Sequence, residues 1–321
     1  MIESAVQRTR WSLIAAALTA SLLTSAQADT LKLAVGQRGT WDTSIAEIGQ
    51  RGGIFKKHGL DLEILYTQGG GETQQAVISG SVDIGVAAGV MGVLGAFSKG
   101  APVRVIGSEM TGAAEMFFYV PASSPIRSLK DIGTGTIAYS TNGSSTHGVV
   151  TALVKQYDLK AKPVATGAQA ATLTAVMSGQ IDVGWSAPPF GLDQLEQGQI
   201  RIIAIGNDAT VFKDQTVRLL ITNVQALAPR RDAINSFMRA YRETIDWMYA
   251  DPAAIKVYAE FMQMPEAKAT SARDRFFPKA ALDPDKIVGV DVIVRDAVTL
   301  KYTAAPLSKE QLAELIQIPP R

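Results

Sequence analysis

One phrase of thirteen residues occurs twice in this chain. Residues 77–89 read VISGSVDIGVAAG and residues 176–188 read VMSGQIDVGWSAP, aligned without gaps at an offset of 99 residues. Val, Ser, Gly, Asp, Gly and Ala recur in place. A repeat at that spacing predicts two similar lobes, each large enough for its own core. In each copy a helix is expected to end at Ser-Gly, where the glycine takes the left-handed position after the last turn. A buried strand then starts, with an Asp between branched residues, and runs into small residues and a loop.

The pattern around each copy is the same. Strands are expected at 31–36, 60–68, 81–88 and 102–110, with helices over 44–59 and 71–80. The second series has strands at 136–140, 161–167 and 181–187, with helices over 146–159 and 168–179. Strands separated by helices of this length predict βαβ units and parallel sheets. KGAPVRVIG (99–107) also matches QGQIRIIAIG (197–206) with a one-residue shift. A strand at 216–223 follows, then a long amphipathic helix after Pro229. Ile234, Phe237, Met238, Tyr241, Ile245 and Met248 share one stripe of that helix, which reads as core. Helices over roughly 252–263, 265–276 and 286–301 end the chain.

Composition removes several function classes. The 321 residues carry a net charge of +1, without the basic surplus of a nucleic-acid binder. Cysteine is absent, which excludes thiol nucleophiles, Cys-ligated zinc, disulfides and a lipid-anchored N-terminus. His58 and His147 are the two imidazoles, too few for a catalytic zinc site. No metal and no cofactor are expected. Arg8 and Arg10 precede a short apolar run at 11–25, and Ala26-Gln27-Ala28 fits a small-x-small cleavage site. This predicts an export signal over 1–28 and a soluble periplasmic protein with as many acidic as basic residues.

Ligands of open α/β sheets bind beyond the carboxyl ends of the strands. The loops at 36–44, 67–73, 140–147 and 166–169 lie there, and so do those after each copy of the repeat. They are rich in small and hydroxyl residues and precede helices, whose N-termini favour anions. The strongest group is the loop Ser140, Thr141, Asn142, Gly143, Ser144, Ser145 and Thr146. Gly69, Gly70 and Gly71 would let a ligand approach backbone closely, and Ala88, Gly89, Trp185, Ser186 and Pro188 would line the cleft from the two copies. Arg38 is the candidate counter-charge for an anion. Trp41 would cap the ligand or pack on its own lobe. Glu109 or Glu115 could bind an ammonium, with Glu115 reading more as a solvated acid. Asp42 reads as a helix N-cap. His147 could donate to an anion, although a local hydrogen bond suits it better. Asp83 and Asp182 read as structural ties, and His58 as a surface residue.

GGIFKKHGLDLEIL, SGSVDIGV, SLKDIGTGTIAYSTNGSSTH and SGQIDVGWSAPP, in that order, resemble the periplasmic substrate-binding proteins of ABC importers. The resembled group serves aliphatic sulfonates, taurine, nitrate and thiamine-precursor pyrimidines, and the likeness spans 30–321. It implies the type II periplasmic binding protein fold: two Rossmann-like α/β lobes joined by two crossover strands, with a ligand cleft between them. Those crossovers would lie near 116–121 and 218–222, giving lobes 29–118 plus 221–321 and 119–220. In that family the strand-to-helix loop of lobe two, here 140–147, contacts the ligand. The resemblance also implies a monomer that closes on a small anionic or zwitterionic solute and docks on a membrane permease with its ATPase. A branch of this fold makes the thiamine pyrimidine with a Cys-rich motif, which this chain lacks. Transcriptional sensor domains share the fold, but no helix-turn-helix precedes residue 30.

Overall fold

The computed structural model describes residues 28–321, and the expected export signal lies outside the described residues apart from Ala28. Strand β1 (Asp29–Gly36) leads into helices α1 (Ile45–Arg51) and α2 (Ile54–Lys57), then β2 (Leu60–Thr67), α3 (Gly70–Ile78), β3 (Ile84–Gly89), α4 (Val90–Ser98) and β4 (Val103–Thr111). A second lobe follows: β5 (Phe117–Pro121), β6 (Thr136–Tyr139), α5 (Ser145–Gln156), β7 (Lys162–Ala165), α6 (Gln169–Met177), β8 (Gly184–Ser186), α7 (Leu192–Glu196) and β9 (Ile200–Ile205). The chain returns as β10 (Thr216–Asn223) and ends in α8 (Val224–Leu227), α9 (Arg231–Ala250), α10 (Pro252–Met262), α11 (Glu266–Phe276), α12 (Val290–Thr299) and α13 (Lys309–Leu315). Among the described residues no helix is long and apolar enough to cross a membrane.

The first sheet runs β2-β1-β3-β10-β4, parallel except for β10, which is antiparallel to both neighbours. In the second lobe β6 and β7 pair in parallel, β5 lies antiparallel between β8 and β9, and a parallel bridge from Ile137 to Val183 joins the two groups. The second lobe therefore reads β7-β6-β8-β5-β9, the order and sense of the first. This is the periplasmic binding protein fold expected from the repeat and the resemblance.

The repeated Asp ties each lobe together in the same way. Asp83 Oδ2 accepts from Lys32 N in β1 at 2.8 Å. Asp182 Oδ2 accepts from Thr136 N in β6 at 2.7 Å. A short acceptor placed there satisfies a strand amide just before the pairing with the next strand begins. The symmetry extends upstream of the sequence repeat. Thr67 and Thr73 hydroxyls lie 2.8 Å apart, and Thr166 and Thr172 hydroxyls 2.6 Å apart.

Three expectations shift. The helix over 44–59 breaks at Gly52–Gly53, because Gly53 has φ +76° and the Trp247 ring occupies the space beside Gly52. The strands at 116–121 and 218–222 are not crossovers; each is the fourth strand of one sheet. The chain passes between lobes at 112–116 and 206–215, so a boundary at 220 would cut β10. The α9 stripe is buried as its spacing predicts and packs on α1 and α2. Burial of its six large apolar side chains is worth about 10–15 kcal/mol gross.

Candidate functional site

The carboxyl ends of the two sheets face each other, and their loops touch. Gly71 N donates to Thr141 Oγ1 at 3.0 Å, and Ala168 N donates to Gln68 Oε1 at 3.2 Å. Glycine makes this approach possible. A Cβ on Gly71 would fall 1.9 Å from Asn142 O, and one on Gly92 2.2 Å from Gly143 O. The GGG loop was expected to admit a ligand; what comes close is mainly the backbone of the other lobe. Gly71→Ala should leave each lobe folded, since Ala suits a helix, but hold the lobes apart. We expect a larger radius of gyration by X-ray scattering. An unchanged radius would refute this account of the contact between the lobes.

A cavity of about 30 Å³ remains between the lobes, room for two or three water-sized groups. Lobe two contributes Ser140, Ser144, Ser145, Thr146, Gln169, Trp185 and Ala187. Lobe one contributes Gln37, Thr40, Asp42, Thr43, Gly70 and Arg218 among others, and the crossover segment contributes Glu115 and Met116. Two of its wall residues, Gln37 and Ala87, hold φ of 82° and 66°, a conformation side chains avoid without surrounding support. The indole N–H of Trp185 is buried here without a partner.

Charge enters through one cluster. Arg218 lies in β10 between β3 and β4, 7 % exposed, so its guanidinium must be paired inside the protein. Its Nη2 is 2.8 Å from Asp42 Oδ2 and 2.7 Å from Glu115 Oε1, and its Nε donates to Glu109 Oε2 at 2.8 Å. Three carboxylates thus share one cation. Burial pushes Glu109 well above the usual carboxylate range, and Asp42 beside it adds to the shift, against the pull of Arg218. Glu115 is raised too, first by burial and then by Asp42, with Arg218 opposing. Asp42 Oδ1 and Glu115 Oε2 lack a partner, while Glu115 Oε1 has only the Arg218 ion pair.

These shifts set a sign for stability against pH. Glu109 and Glu115 hold protons in the folded state where the unfolded chain has lost them. The folded protein then binds more protons, so stability falls as pH rises from the ordinary glutamate range through the raised folded values. The slope inside that window is about 1.4 kcal/mol per pH unit per group. Denaturant midpoints measured across pH should show it, and Glu109→Gln should flatten it. A wild-type stability that climbs through the window would contradict the assignment.

Several expected site residues lie elsewhere. Arg38 is not a counter-charge: its Nη2 donates to Phe261 O at 3.0 Å and it stacks 4.1 Å from the Phe261 ring centre. Trp41 is fully buried in lobe one, its Nε1 donating to Tyr249 Oη at 3.1 Å. Glu109 faces Arg218 and not the cavity. Ala88 is buried in β3 beside Leu219 of β10, and Ala87 reaches the cavity instead. Gly69 abuts Ser140, and Gly89 abuts Gly143 and Ser144. Thr141 is spent on Gly71 N, and Asn142 Oδ1 accepts from Tyr139 Oη at 2.7 Å. His147 Nδ1 accepts from Gly143 N at 3.2 Å and lies 2.8 Å from Tyr302 Oη, and burial lowers its pKa. Ser186 Oγ donates to Gln169 Oε1 at 2.8 Å, and Pro188 does not line the small cavity. Ser140, Ser144, Ser145, Thr146, Gly70 and Trp185 do line it.

Two acids and two further residues were misread or missed. Asp42 is not an N-cap, since α1 starts at Ile45, and Glu115 is buried, not solvated. Arg218 was missed, although a lone charge in the run TVRLLITN was its signal. Gln169 was missed because the repeat was read from residue 77; at the same offset it stands opposite Gly70.

Comparison with known proteins agrees with the fold. The pattern of the family described as NMT1/THI5 like matches residues 46–255. The chain belongs to the NMT1/THI5-like family. A relative named 4-amino-5-hydroxymethyl-2-methylpyrimidine phosphate synthase, from Saccharomyces cerevisiae, is 24% identical over 228 residues, 67% of this chain. The match spans about two thirds, 66%, of that relative's length. Among solved structures, the alkanesulfonate-binding protein SsuA from Xanthomonas axonopodis pv. citri, bound to MOPS, superposes with a TM-score of 0.73 at 16% identity, covering 90% of this chain and 98% of that one. The periplasmic nitrate-binding protein NrtA from Synechocystis gives 0.66 at 13%, covering 89% and 84%. At such identities the likeness of this NMT1/THI5-like chain to both binding proteins is one of fold.

Proposed function

We propose that this protein is the exported solute receptor of an ABC importer, and that its solute carries N–H donors at one end and an acceptor nearby. The acid surplus of the cavity carries the reading. Asp42 Oδ1 and Glu115 Oε2 have no hydrogen-bond or ion-pair partner, and Trp185 presents one unused N–H. An amidine, an aminopyrimidine or the ammonium end of a zwitterion would satisfy the first, and a ring nitrogen or sulfonate oxygen the second. A simple anion such as nitrate suits this wall poorly: it would face two carboxylates, Asp42 and Glu115, and a guanidinium already shared with them and with Glu109. The ligand class thus narrows from anion or zwitterion to zwitterion or amine-bearing solute. Lobe closure then presents the loaded form to a permease.

A calorimetric and thermal-shift screen would test this with taurine, 4-amino-2-methylpyrimidine, acetamidinium, nitrate and methanesulfonate. A hundredfold excess over Kd adds about 2.7 kcal/mol to stability. The ionisable groups facing the cavity are Asp42, Glu115 and Arg218, with Glu109 and Tyr241 packed behind them. A cationic head lowers the raised carboxylate pKa values on binding, so it releases protons and binds more tightly as pH rises. An anion would do the reverse. Tighter nitrate binding at low pH, with no response to the amine-bearing probes, would sink the proposal. The names of the fungal relatives favour a second reading, an enzyme of aminopyrimidine synthesis, and conversion of a bound probe to product would support it. Both histidines lie outside the cavity wall, His58 against Glu243 and His147 against Tyr302.

A further inference from the structure

Beside the small cavity lies a second one of about 310 Å³. Both lobes form it: Leu173 and Phe190 stand on one wall, Met262 and Met264 on the other. Lys268 and Asp193 pair across its rim, one from each lobe. Gln169 lines both cavities, while Ala187 faces the small one and its neighbour Ser186 the large one. Gln169 Oε1 is pinned by Ser186 Oγ at 2.8 Å and Ala187 N at 2.7 Å. The partition is therefore about one side chain thick.

We infer that the two cavities form one bipartite site, in which the solute places its N–H-bearing head in the small cavity and an apolar tail in the large one, past Gln169. The inference rests on the head chemistry proposed above. Size supports it, because the small cavity holds only a few heavy atoms and a whole organic solute would overfill it. The chemistry of the walls supports it too. Two flexible, polarizable methionines and a phenylalanine can adapt to tails of differing shape. Closure brings Met262 of lobe one against Phe190 of lobe two beside Gly39, where a Cβ would meet both side chains. The tail compartment thus exists only when the lobes are together, and a buried tail would favour the closed form.

The test compares acetamidinium with hexanamidinium by calorimetry, in wild type, Ala170→Trp and Met264→Trp. Ala170 is exposed on α6 and lines the large cavity, so a bulky side chain there intrudes without entering the core. Met264→Trp fills the cavity from the opposite lobe. Each buried methylene is worth about fourfold in affinity. Wild type should bind hexanamidinium at least tenfold more tightly than acetamidinium, and that ratio should drop below about threefold in both variants. A ratio near one in wild type, or one that survives in both variants, overturns the bipartite site alone. Failure of both amidines to bind wild type overturns the head reading, and this inference with it.

Discussion

Arg218→Ala should be among the most destabilising single substitutions in this protein. It leaves Asp42, Glu109 and Glu115 facing one another in a buried site with no cation. Removing one partner of a buried ion pair costs about 3–5 kcal/mol, and here three carboxylates lose the same partner. The deficit should be largest near neutral pH and shrink as pH falls, because protonation removes the repulsion. Arg218→Lys should recover only part of the loss, since one compact ammonium cannot span the positions now reached by Nε and Nη2. Urea denaturation of the three proteins at two pH values would decide it. A loss below about 1 kcal/mol at neutral pH would show that the cluster is not the electrostatic centre described above.

Glu115→Gln should separate binding from stability. Glu115 sits on the crossover segment, 1 % exposed, with Oε1 paired to Arg218 and Oε2 without a partner. Glutamine keeps its shape and removes a charge whose burial is unfavourable, so the protein without solute should be unchanged or slightly more stable. Binding should suffer. A hydrogen bond to a charged group is worth about 1.5–3 kcal/mol, which is roughly a ten- to hundredfold loss of affinity for acetamidinium. The rise of affinity with pH should weaken in parallel. Unaltered acetamidinium affinity would remove Glu115 from the site. Because 112–116 carries the chain between lobes, Glu115 lies on the segment that joins them.

The fold was legible in the sequence for reasons that are local. The Ser-Gly corners, the strand Asp and the alternating segments each act within about ten residues, and the second copy repeated them. The lobe-two hydroxyl loop was legible in the same way, because a polar run between a strand and a helix has few other uses. The charged centre was not. Asp42, Glu115 and Arg218 are far apart in sequence, and each has an ordinary reading taken alone: a cap, a solvated acid and a strand residue. Arg38 drew attention because it is a cation in a strand-end loop, yet it faces Phe261.

The repeat by itself determined that there are two lobes, that a cleft lies between them, and that the divergent residues after each copy face it. Trp185 meets that expectation, and so does Gln169 once the offset is carried upstream to Gly70. Tertiary structure alone decided which charges meet at the cleft. Helix N-termini and hydroxyls suggest an anion when loops are read one at a time. Two acids and an arginine from separate strands and loops, with Glu109 behind them, meet at one buried wall, and the cationic head proposed above rests on that meeting. Electrostatic interaction depends on distance and dielectric, and neither is written in the order of residues.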